Sequence, residues 1–221
     1  MIGQALTSGR TRDAAEALLS LARVEGSASH RHPKSDVLTT EAARNVADIV
    51  HLLCLLHGRH PGVIDHAIDR VLNPATRAFL SDAADAFAGE RALLTRLVVA
   101  VGPLPSTPGQ ADTETAVLAQ HHAVDMLAKS ERTGCALGAA LALLADWAAI
   151  RPVLDTAARR LSLEFERTAL PNVDVLASVI RSAENTTAAD RAMLFGAQQI
   201  VAQHRGLWDL LEARAAARSD Y

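Results

Sequence analysis

Aromatic residues make up only 3% of this 221-residue chain, and cysteine and lysine number two each. Each shortage excludes something. Strands draw on aromatic and β-branched side chains, so a sheet-based fold lacks its usual material. Cys54 and Cys135 lie too far apart, in settings too apolar, for a zinc knuckle. They read instead as two buried free thiols in a reducing compartment. Lys34 and Lys129 are the only lysines, and the formal charge of −3 has both signs interspersed. No basic face is left to neutralise phosphates, so nucleic acid is not an expected partner. Long apolar runs are missing too: the longest proline-free uncharged run, Thr133 to Ala145, falls well short of the ~20 residues that span a bilayer. The N-terminus MIGQALTSGRTRD has no apolar core followed by a cleavage site. The expectation is a bacterial cytoplasmic protein with no membrane segment. A Gly-rich phosphate loop, a Gly-x-Ser-x-Gly turn and an N-terminal helix-turn-helix are all lacking.

What the chain does have is alanine and leucine, the strongest helix formers. An all-α fold follows: one domain over 1–221, with an N-terminal helix and loop (1–36) and a helical bundle (37–221) of four long helices plus shorter flanking ones. A first helix is expected over Thr11 to Val24, then a turn-rich loop in which His30 and His32 are solvated. Thr40 is positioned to cap a helix reaching His57, with Gly58 as a left-handed C-cap. The next helix opens at Pro61. Asn73-Pro74 caps and starts a helix to about Val101. The proline-rich GPLPSTPGQAD breaks the chain. Thr113 to Arg151 forms one helix or two, with a break at KSERTG, and TGCALGAALALLAD is apolar nearly all round, which marks a central covered helix. Gly134 and Gly138 within it would admit a neighbouring backbone. Pro152, Pro171 and Thr186-Thr187 each mark a further helix start.

Four of the nine histidines crowd into HLLCLLHGRHPGVIDHAIDRV (His51–Val71). His57, in a last turn, suits an imidazolium at the negative end of a helix dipole. His60 precedes a proline, and His66 falls on a solvated face with Asp65. His51 shares a face with Asp48 and Arg44. That face is either a polar stripe to water or a carboxylate orienting a histidine inside the bundle.

Placing each helix on a wheel of ~100° per residue shows which ionisable groups fall within apolar stripes. Glu90 lies among Phe79, Ala83, Ala86, Leu94, Leu97 and Val101, whereas Arg91 falls off that stripe. His121 lies among Val117, Val124, Leu127 and Ala128. His204 sits at the centre of Met193, Ala197, Ile200, Leu207, Trp208 and Leu211. A buried charge needs a partner, a shifted pKa or a function. The candidate constellation is therefore Asp48 with His51, Glu90, His121 and His204, drawn from four separate long helices.

At these residues the chain resembles ferritin-like bundles with carboxylate-bridged metal pairs. Asp48-Ile49-Val50-His51 is an aspartate version of their Glu-x-x-His pair, and Glu90 stands for a lone glutamate. The third helix offers His121 in place of a carboxylate, with Asp125 or Glu131 as imperfect substitutes, and Val201 stands where a second pair needs a glutamate. Two or three histidines with one or two carboxylates suit iron, manganese or zinc, and a mononuclear site is expected because too few carboxylates are present to bridge two ions. The resemblance implies oxygen-dependent oxidation as the reaction class. The competing expectation is a non-catalytic helical protein that binds a partner or a small apolar ligand, its buried polar groups purely structural. Leu210, off the main stripe of the last helix, presents apolar surface to another subunit on that reading, and a homodimer is the expected assembly.

Overall fold

The computed structural model describes residues 2–34, 43–183 and 186–219. Among them are eight α-helices and no strand: α1 (Ile2–Glu25), α2 (Ala43–His57), α3 (Val63–Ile68), α4 (Pro74–Val101), α5 (Gln110–Ala128), α6 (Cys135–Arg160), α7 (Val173–Ser182) and α8 (Thr187–Ser219). The chain is all-α, as its composition dictates.

Local chemistry sets several boundaries. The Asn73 side chain accepts from the backbone N–H of Ala75 and Thr76, Pro74 follows at the first helical position, and Gly102 closes α4 with φ at 77°. The KSERTG break is real and separates α5 from α6. Other expectations are corrected. The first helix begins earlier than Thr11, at Ile2. Gly58 is not left-handed; it continues the helical hydrogen bonding with N–H to the Cys54 carbonyl at 2.7 Å. Pro61 lies before α3, which is capped at Gly62, and Asn172 rather than Pro171 caps α7. The expected Thr40 cap lies outside the described residues. Pro152 starts nothing and sits inside α6. A proline removes the hydrogen bond to the carbonyl four residues back. Here that carbonyl belongs to Ala148, and both residues face solvent, where water can take it.

The core centres on α6, buried on every side from Cys135 to Leu144. It is the one described helix long and apolar enough to cross a bilayer, yet 78% of its most apolar window is covered by the rest of the bundle. Its main partner is α8, and glycines set the spacing. A Cβ on Gly138 would fall 1.9 Å from the Met193 carbonyl oxygen, and one on Gly196 would fall 2.1 Å from that of Cys135. The expected close approach at Gly134 and Gly138 is therefore present. The packing extends beyond four helices. α1 lies against α6, α7 and α8, and α3 lies against α4, α5 and α6. Cys54 is half-buried and Cys135 buried, both free. Leu210 packs against the core instead of standing out from it.

Candidate functional site

Ser27, His57, Asp146, His204 and Trp208 form one buried polar chain across the bundle. Asp146 ends the apolar run of α6 and is 1% exposed. Its Oδ2 accepts from His204 Nδ1–H at 2.6 Å and from the Ser27 hydroxyl at 2.6 Å, and its Oδ1 accepts the Ser27 backbone N–H at 2.8 Å. The Trp208 indole N–H, one turn beyond His204, donates to the Ser27 Oγ at 2.8 Å. On its other side His204 Nε2 meets His57 Nε2 at 2.8 Å. That contact holds a single proton, which belongs to one ring or the other. Burial, then the neighbouring His204 and His121, hold His57 well below the usual histidine value, so His57 is neutral. The dipole-stabilised imidazolium expected at this helix end is corrected: desolvation outweighs the helix terminus.

Local sequence builds the turn that brings Ser27 to the carboxylate. α1 ends at Glu25, and Gly26 follows with its N–H on the Ala22 carbonyl. A Cβ at Gly26 would lie 2.2 Å from both that oxygen and Asp146 Oδ1, so only glycine lets the backbone approach. Gly26→Ala is expected to lower stability by about 1–3 kcal/mol through overpacking, read from the midpoint of a urea transition.

The arrangement is not a nucleophilic triad. The Ser27 proton is donated to the carboxylate and not to a histidine, and the residue has no exposure. Ser27, His57 and Asp146 are the participants that sequence reasoning missed. Asp146 was read as the boundary of an apolar run, although a lone acid at the end of an all-round buried segment was a usable signal.

The five expected site residues go to separate places. Glu90 is buried, but with Arg151, whose Nη1–H donates to Oε1 at 2.5 Å, and with the Trp147 indole N–H on Oε2 at 2.9 Å. Arg151 also donates to Asp155 and to the Glu166 carbonyl. Asp48 is buried with one carboxylate oxygen on Arg214 at 2.8 Å and the other on Arg218 at 2.5 Å. His51 bonds the Gly102 carbonyl and His121 bonds the Leu56 carbonyl. Only His204 belongs to the chain described above. Because both carboxylates are held by arginines and both ring nitrogens of His204 are engaged, the five residues do not fit one iron, manganese or zinc ion. Arg91, expected off the stripe, is buried and pairs with Asp65 at 3.2 Å. Trp147 links two networks, since its ring lies edge-on to His57 at 5.6 Å while its N–H holds Glu90.

Among the described residues, His30, Asp209 and Glu212 do bring three ligand atoms within 4.8 Å of one another. Internal bonding closes that cluster. His30 Nδ1 accepts the His32 backbone N–H, which places the ring proton on Nε2, facing Asp209 at 3.0 Å. Glu212 is held by Arg31. Neither histidine of this loop is freely solvated as expected: His30 is hydrogen-bonded to Asp209, and His32 is buried beside Trp208 with burial pushing its pKa down.

Two hollows flank the chain. A cleft of about 630 Å³ lies between α1, α6 and the start of α7. Leu19, Leu144, Leu176, Ala145, Ala148, Ala149 and Asp146 line it. Glu16, Ser20 and Arg23, on one face of α1, supply polar groups, with Asn172 opposite. On the far side, a depression of about 10 Å³ is lined by His57, His121, Arg59, Arg91 and Asp125. It is large enough for about one water molecule.

The chain belongs to a family of unknown function, DUF6975, whose model matches residues 22–219. That span contains Ser27, His57, Asp146, His204 and Trp208, while Glu16, Leu19 and Ser20 of the cleft precede it. No curated protein and no solved structure matches the chain.

Proposed function

We propose that this family member is a non-catalytic binding protein whose cleft between α1, α6 and α7 takes a small, largely apolar molecule. The observation that carries this reading is the cleft itself. Here Ala145, Ala148 and Ala149 of α6 line a hollow of about 630 Å³, within the 300–1,000 Å³ range of small-molecule sites. Ser20, Arg23, Glu16 and Asn172 offer polar handles at its edge. The interior carboxylates support the same view, because each is bound by protein donors and so fixes how the helices meet. Two free thiols accord with a reducing bacterial cytoplasm. A homodimer is part of the proposal, with the exposed Leu118 and Met126 of α5 as one apolar patch available to a second copy.

The test is to fill the hollow. Ala145→Leu/Ala149→Leu should lower the affinity for the apolar fluorescent probe anilinonaphthalene sulfonate at least tenfold, with the melting temperature unchanged or raised. Equal probe affinity in the filled variant would remove the cleft as the site. Elemental analysis belongs beside it: stoichiometric iron, manganese or zinc in the purified protein would favour the metal-binding alternative.

A further inference from the structure

We infer that the corner joining α2 to α3, residues 57–64, is an acid-sensitive latch: His57, seated against His204, holds it shut, and a proton on His57 releases it. The inference stands apart from the cleft and rests on how His57 is enclosed. From α8 it faces His204, and from α6 it faces Trp147, with Asp146 behind His204. From α5 come His121 and Asp125, from α4 Phe87 and Arg91, and from the corner itself Arg59. None of these offers it a carboxylate. Asp146 is taken by His204 and Ser27, Asp125 by Lys129 and Asp65 by Arg91. His60 also lies against Asp65, at 3.4 Å, and is exposed.

The closed corner therefore offers a charged His57 no free counter-charge. The His57 and His204 rings are 4.9 Å apart at their centroids, with one proton between the facing nitrogens. A charged His57 would be a buried cation facing Arg59 and Arg91 and, where the shared proton rests on His204, a second imidazolium. Burial and the two neighbouring histidines hold the pKa of His57 down for the same reason. The corner is held mainly by apolar packing, with Val63, Ile64 and Ala67 buried in the core, and by few polar ties. α3 has six residues, and its polar ties are the Asp65 cap on the Gly62 N–H at 2.8 Å and the Asp65–Arg91 pair.

The sign follows from linkage. In the closed state His57 is neutral, and in an opened state it regains an ordinary value of about 6.5. Opening is then independent of pH above about 6.5 and gains about tenfold per pH unit below it, until the depressed closed-state value is reached. Between pH 7.5 and 5.0 the open population should rise about thirtyfold.

Native-state amide exchange on the full chain measures this directly. Two reporters lie in the corner: the Gly58 N–H on the Cys54 carbonyl and the His66 N–H on the Gly62 carbonyl. After correction for the intrinsic rate, their protection should fall about thirtyfold from pH 7.5 to 5.0, while core amides of α6 such as Leu143 keep theirs. In His57→Gln, which can still bond His204 but does not titrate, the fall should be absent. The latch is overturned if Gly58 and His66 keep equal protection across this range in the wild type. It is equally overturned if the α6 amides fall in parallel, which would mean global unfolding, or if His57→Gln shows the same fall.

Discussion

Asp146→Ala is expected to lower the unfolding free energy by about 3–5 kcal/mol, a large part of the stability of an ordinary domain. The substitution removes one side chain and orphans three donors: His204 Nδ1–H, the Ser27 hydroxyl and the Ser27 N–H. No arginine, lysine or second acid is among the groups bonded to this carboxylate, so nothing nearby takes over. Asp146→Asn should lose nearly as much, although it preserves volume, because its amide nitrogen would oppose donors where the carboxylate accepted. A urea titration followed by far-UV circular dichroism checks both. A change under 1 kcal/mol in either would mean that these bonds are not made.

The second large effect concerns backbone contact. Gly138→Ala places a methyl group 1.9 Å from the Met193 carbonyl oxygen and 2.6 Å from its carbon. Backbone cannot rotate aside as a side chain can, so α6 and α8 must separate along the most extensive helix pairing in the molecule. Overpacking costs about 1–3 kcal/mol and occasionally more, and a clash with backbone belongs at the upper end. Gly89→Ala is the matched control. It lies mid-helix in α4 with nothing within 4 Å of an added Cβ, and should raise stability by about 1 kcal/mol through helix propensity alone. Thermal melts of the two variants should therefore move in opposite directions.

Much of the fold was readable from local chemistry. Asn73, Pro74 and Gly102 delimit α4 because a cap, a first-turn proline and a terminating glycine act within a few residues. All-round apolarity identified α6 as the central helix, and its glycines marked the contact with α8. Which inward-facing groups meet was not readable. A helical wheel places Glu90, His121 and His204 on buried faces but carries no information on the height or rotation at which helices pack. Glu90 therefore meets Arg151 on α6 instead of an imidazole from α8, and Asp48 meets two arginines near the end of α8. Long arginine side chains added to the difficulty, since Arg91, which falls off its apolar stripe, is buried with Asp65, and Arg151 and Arg214 are buried with Glu90 and Asp48. His57 was misread for a related reason. Its place at a helix end suggested a charged ring, while tertiary packing buried it against His204 and Trp147.

The most direct measurement is nitrogen-15 NMR of the imidazole rings in the intact protein at neutral pH. A proton held between His57 Nε2 and His204 Nε2 at 2.8 Å should give a scalar coupling between the two nitrogens across the hydrogen bond, together with a low-field His204 Nδ1 proton donated to Asp146. Both signals should be present in the wild type, and the Nδ1 proton should lose its low-field position in Asp146→Asn. Two uncoupled rings, with His57 titrating near 6.5 like a free imidazole, would contradict the account.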